Sequence, residues 1–191
     1  MGVLPIDIEL YLSGGVANRD GNAALGGIMS AHRVLPNFMQ GLFHDLDTAV
    51  IGAGAGSHYR CIYVYNRHPT DTLTACTVFI SQVYQCIDIL AGPTLGAPIN
   101  SNLVINIGAD LAGVGGIAAV VANELTAPAG PVVFVAPVTY GTGLNLGNIP
   151  PGSWAPLWLK LDWLAVSIPP ITNRIPSPDH YFRLSFESTV P

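Results

Sequence analysis

At 191 residues the chain is long enough to bury a sizeable core without metal or disulfide staples. Half of its residues are hydrophobic and only 10% are charged, against about 25% in an ordinary soluble domain, while glycine (21) and proline (16) are plentiful. A net charge of −5 with Lys160 as the single lysine excludes the phosphate-neutralising footprint of a nucleic-acid binder, and so thin a cover of charge points to apolar surface buried against partner chains.

The N-terminal MGVLPIDIEL lacks the basic region and long apolar core of a secretory signal, so the mature protein is expected to begin here. In residues 6–13, IDIELYLS, Ile6, Ile8, Leu10 and Leu12 alternate with Asp7, Glu9, Tyr11 and Ser13, the period of a half-buried strand. The next segment, SGGVANRDGNAALGG at 13–27, is nearly all turn-formers and small residues, and an extended loop is expected over 13–57. Further β-rich runs fall at 59–66, 73–81, 103–107, 131–136 and 155–164, and HYFRLSFES at 180–188 repeats the alternation of the first strand. Residues 114–125, VGGIAAVVANEL, hold paired glycines and β-branched valines, which predict loop or one or two helical turns. The apolar run around 113–122 is too short and glycine-rich to span a bilayer and ends at Asn123 and Glu124, so no membrane partner is expected.

LNLGNIPPGSWAPLWLKL, residues 144–161, reads as strand, turn, strand. Pro150 and Pro151 cannot sit inside a hydrogen-bonded ladder, Gly152 can take the angles of a tight turn, and Trp154 and Trp158 are expected to anchor the next strand in the core. Seven or eight short strands between turn clusters predict an all-β fold, an antiparallel β-sandwich or jelly roll with long loops. No linker divides the chain, so residues 1–191 are taken as one domain.

Chemistry-bearing motifs are weak. Gly52, Gly54 and Gly56 in GAGAGS have GxGxG spacing with no GK[ST], and a strand comes next rather than the helix N-terminus that a phosphate needs; NIGADLAGVGG at 106–116 imitates such a turn little better. His44, Asp45 and Asp47, with His32, His58 and His68 nearby, could assemble metal ligands, but their spacing matches no established metal motif. Asp179 and His180 lie beside each other, yet no GxSxG elbow accompanies them, and nothing selects a carboxylate pair from three glutamates and nine aspartates. Cys61, Cys76 and Cys86 form an odd set without a CxxC and are expected as buried, reduced thiols. Trp154, Trp158 and Trp163 with Tyr59, Tyr63 and Tyr65 suit either a sugar-binding platform or strand packing, and packing is the commoner use. No catalytic, cofactor-binding or metal residue is therefore assigned, and a non-enzymatic protein is expected.

Four stretches, IELYLSGGVANRDGNAALGGIMS (8–30), HYRCIYVYNRHPTDTLTACTVFIS (58–81), VANELTAPAGPVVFVAP (121–137) and LNLGNIPPGSWAPLWLKL (144–161), resemble a group of tailed-bacteriophage and prophage virion structural proteins. They cover under half of the chain and are scaffold segments, not catalytic signatures. The sequence departs from the family pattern after the tryptophan strand: Leu159, Lys160 and Leu161 replace a basic run, and the connection at 162–179 is lengthened before the last strand. The resemblance implies a β-sandwich in a virion assembled in the host cytoplasm, without cofactor. It implies as partners the major capsid protein or other virion proteins, and further copies of itself in a homo-oligomer. Within the virion a capsid cement or decoration role is favoured, the alternatives being a tail, neck or baseplate component or a carbohydrate-binding β-sandwich module.

Overall fold

The fold is that of a computed structural model, which describes residues 7–34, 42–43, 54–84, 103–111, 114–163 and 181–189. Among these residues eight strands form two antiparallel sheets: β1 (Ile8–Leu12), β2 (Arg33–Val34), β3 (Gly56–Asn66), β4 (Thr74–Tyr84), β5 (Leu103–Ala109), β6 (Leu144–Asn145), β7 (Trp154–Trp163) and β8 (Tyr181–Thr189). One sheet has the order β2-β1-β3-β7-β5 and the other β6-β4-β8. From β3 onward successive strands alternate between the two sheets. The molecule is the expected all-β sandwich, and helical structure among the described residues is confined to short 3-10 turns such as Gly21–Ala23 and Tyr140–Thr142.

Strand alternation builds the core directly. Leu10 and Leu12 of β1, Ile62 and Val64 of β3, Ile105 and Ile107 of β5, and Leu157, Leu159 and Leu161 of β7 share one face of the large sheet. They meet Cys76, Val78 and Ile80 of β4 and Leu184 of β8 from the small sheet, with Leu73, Leu146 and Ile149 closing one side. Full burial of each such aliphatic side chain is worth about 1.5–3 kcal/mol, so this layer dominates the stability. The register of β4 slips between Thr74 and Thr77, where Ala75 takes φ +48; this bulge leaves the Ala75 N–H to Asn148 Oδ1 at 2.9 Å.

The PPGSW stretch is a corner between the two sheets. Ile149 exchanges both backbone hydrogen bonds with Leu73 at the small-sheet side, Gly152 turns at φ +68 and donates to Asn66 O at 2.9 Å, and β7 then begins in the large sheet. The prolines end one ladder and the glycine starts the next.

Two expectations need correction. Residues 131–136 form no strand; opened by Pro131 and followed by Pro137, they touch the β5 edge in a single bridge, Ile107 with Val135. Trp158 is buried in the core as expected, within the cluster on the outer face of the large sheet and not the layer between the sheets. The 13–57 segment is not a free loop over its described part: residues 13–34 fold back on the sheet and add β2 to its edge, and β3 starts already at Gly56. Residues 114–125 are turns and bends without helix, within the expected range. Most of the 162–179 connection lies outside the described residues.

Candidate functional site

Strands β3 and β7 are buried on both faces, which explains why RCIYVYN reads as an almost continuous apolar run. Cys61, Tyr63 and Trp158 point away from the sandwich interior and are covered by Ala118 and Val121, with Leu25, Met29, Val132 and Phe134 packed around them. Two segments, 13–31 and 114–136, therefore form a roof over the outer face of the large sheet.

The roof is fastened by main-chain bonds. Gly27 N donates to Ala118 O at 3.1 Å and Val121 N to Leu25 O at 3.0 Å, joining its halves; Cys61 N donates to Ala24 O and Tyr59 N to Glu124 O, joining it to the edge of β3 beyond the reach of β1. Tyr63 clamps both halves from below, its hydroxyl donating to Gly27 O and accepting from Ala118 N at 2.8 Å. Burial pushes that hydroxyl up to about 12. Trp154 Nε1 donates to Gly116 O at 2.7 Å. Gly26 sits where the halves touch most closely, at φ +87, and a Cβ there would stand 1.8 Å from Ala119 O. Only glycine fits that approach.

One corner of the roof is ionic. Arg60, on the core-facing parity of β3 and with a fully buried side chain, donates from Nη2 to the Glu124 carboxylate, from Nε to Leu42 O at 2.8 Å and from Nη1 to Tyr59 O at 2.9 Å. Its guanidinium lies 5.8 Å from the Phe43 ring centroid, and His58 Nε2 lies 3.6 Å from the other oxygen of Glu124. A buried guanidinium satisfied this fully serves as an anchor, since leaving it unpaired would cost several kcal/mol, about 3–5. A second ionic knot ties the sheet edge: the nearly buried Glu9 receives Arg33 at 3.1 Å, Arg67 at 3.3 Å and the Tyr11 hydroxyl at 2.7 Å. The hydrogen bond to Glu9, together with partial burial, raises the Tyr11 hydroxyl above its ordinary range.

The outward surface of the roof is apolar. Val16, Ile28, Ile117, Val120 (73% exposed), Leu125 and Val133 (69%) face solvent. Alternation makes this happen at 132–135: Val132 and Phe134 pack down against Gly108 while Val133 and Val135 turn up. From 111 to 140 the only charged residue is Glu124, already paired with Arg60, and from 13 to 31 only Arg19 and Asp20 occur. Large apolar patches are uncommon on the surfaces of monomeric soluble proteins.

The residues weighed from sequence are dispersed. His32 is exposed, His58 belongs to the Glu124 knot, and His68 accepts the Asp71 N–H at Nδ1 (2.9 Å) while Nε2 lies 3.8 Å from the Asp71 carboxylate. His44, Asp45, Asp47, Asp179, His180 and Cys86 lie outside the described residues, as do Gly52 and all of residues 85–102 and 164–180. Among the described residues no three His, Cys, Asp or Glu side chains converge as metal ligands, and no helix is long and apolar enough to cross a membrane. Cys61 and Cys76 are buried free thiols; burial pushes Cys76 up to about 12 and Cys61 higher still, so neither is a ready nucleophile. Of the aromatic platform, Trp158 and Tyr63 are buried, Tyr59 lies half-buried against Phe134 and Tyr65 packs edge-on to Tyr11. Gly54 precedes β3 at φ +142, and Gly56 and Ser57 open that strand, with Ser57 Oγ bonded to Asp162. Sequence reasoning missed Arg60, Tyr63 and Glu124 as the parts that hold the roof. Their signals were a charge on the core-facing parity of β3 and a lone charge in a thirty-residue neutral stretch. Comparison with known proteins finds no matching family model, no matching curated protein and no matching solved structure.

Proposed function

We propose that this chain is a non-enzymatic structural protein of a bacteriophage virion, a cement or decoration subunit that stabilises the shell by docking on the major capsid protein and on its own copies. The observation that carries this reading is the apolar outer face of the roof, hydrogen-bonded from below by Tyr63, Trp154 and Arg60. A preformed face loses little conformational entropy on docking, so its apolar area converts more fully into affinity than a mobile loop would. Each contact is modest, and a symmetric array of identical subunits multiplies it. The fold supports such a task because the roof is laid over a two-layer core that does not depend on it for its interior.

The test compares particles with and without the protein under heat or osmotic shock. Particles lacking it should release their genome at lower temperature, and adding back the purified chain should restore them. Val120→Asp, placed on the outer face and away from the core, should fold normally and fail to restore. Equal resistance of the two particle types contradicts the cement role, and copies found only in the tail, neck or baseplate reassign the same surface to that location.

A further inference from the structure

The small sheet ends in β8, nine residues long, and among the described residues nothing pairs with the edge of β8 that faces away from β4. A long open edge is a template for another strand unless its side chains prevent pairing. On β8 the side chains do not prevent it; they specify one arrangement. Arg183 and Glu187 are both exposed on the outer face, and neither takes part in an ion pair among the described residues. Four residues apart on one strand they are separated by about 13 Å, too far to pair with each other. Two copies of β8 laid antiparallel about a two-fold axis at Ser185 bring Arg183 of each opposite Glu187 of the other, at the short Cα separation of facing residues. The same axis sets Leu184 opposite Phe186 on the inner face, and Phe186 is only partly covered within one copy.

We propose that a second copy of this chain docks on the β8 edge in this register, joining two three-stranded sheets into one of six strands. Ser185 is the midpoint of Tyr181–Thr189, so all nine residues overlap. A slip of two residues loses both ion pairs, a slip of four sets like charges face to face, and parallel in-register pairing sets Arg183 against Arg183. The charges therefore select one geometry and disfavour its neighbours. The interface is isologous, as two-fold dimers require, and it lies on the small sheet while the apolar roof covers the large one. It does not rest on the virion reading and leaves the roof free to meet a different partner.

Sedimentation velocity on the purified full-length chain tests it. The native protein should sediment as a dimer; Arg183→Glu and Glu187→Arg should each raise the dimer dissociation constant about tenfold or more, and the two reversals combined should restore it. Ser185→Cys should give a disulfide-linked dimer on mild oxidation, in excess of any formed by the native chain, and this measurement stands even where a charge reversal impairs folding. A monomeric native protein, single reversals without effect, a double reversal no better than the singles, or no added cross-link at position 185 overturns the proposal.

Discussion

Replacing Gly26 by alanine probes the seam of the roof with little change in composition. The new Cβ would lie 1.8 Å from Ala119 O and 2.9 Å from Ala119 C, where ordinary contact begins at 3.4 Å, and both are backbone atoms that cannot rotate away. Segment 118–121 must retreat, and it is tied by Gly27 N to Ala118 O, Val121 N to Leu25 O and Ala118 N to the Tyr63 hydroxyl. Breaking three such bonds costs about 3 kcal/mol, at about 1 kcal/mol net each. The positive φ of +87 adds about 1–2 kcal/mol for any residue with a Cβ. Gly147 provides the control: its φ is +77, with nothing within 4 Å of an added Cβ, so Gly147→Ala should incur the conformational cost alone. Urea denaturation, with the slope checked for constancy, should find Gly26→Ala the less stable of the two by about 3 kcal/mol. Equal losses would refute the close seam and with it the rigid roof.

Other expectations concern the ionic anchor and the buried acids. Arg60→Met should cost about 3 kcal/mol and open residues 114–125 to limited proteolysis, while Arg60→Met combined with Glu124→Leu should recover part of the loss; a double variant as unstable as the sum of the singles would contradict a paired anchor. Stability should also fall on the alkaline side. The folded state holds the Cys76 and Tyr63 protons up to about 12 and that of Cys61 beyond, whereas the unfolded chain releases them from ordinary values of 9.0 for the thiols and 10.0 for the hydroxyl. A raised folded value means stability that is complete below the unfolded value and lost as pH rises toward the folded one. Unfolding free energies from urea titrations at about pH 8 to 11 should decline by up to about 1.4 kcal/mol per pH unit for each such group, and Cys76→Ala should flatten that decline.

The strands were legible because alternation is a direct imprint of a sheet with one face inward, as in IELYL and YFRLSFES, and because β-branched and aromatic residues cluster in TACTVFI; each stretch lies in a strand. The PPGSW corner was legible for an equally local reason, since proline and glycine constrain their own backbone. The roof was not. Val132 and Phe134 have the alternation of a strand, but they use it to pack on Gly108 without extending the ladder, and a period of two cannot distinguish the two uses. Likewise Trp158 was placed in the core by size, while the face it occupies depends on which segments return to cover the sheet, a long-range matter. The two-residue strands β2 and β6 are too short to carry any period. Arg60 shows the opposite failing: parity placed it among Ile62 and Val64, and its partner Glu124 is 64 residues away, beyond any local pattern.

The central claim is that the neutral roof is a docking face for a virion shell. A cryo-EM map of the particle encoded with this chain tests it most directly. The account predicts copies arranged with the symmetry of the shell, with Ile117, Val120 and Val133 buried against capsid subunits. Particles without the chain, or copies whose roof faces open solvent, would contradict it.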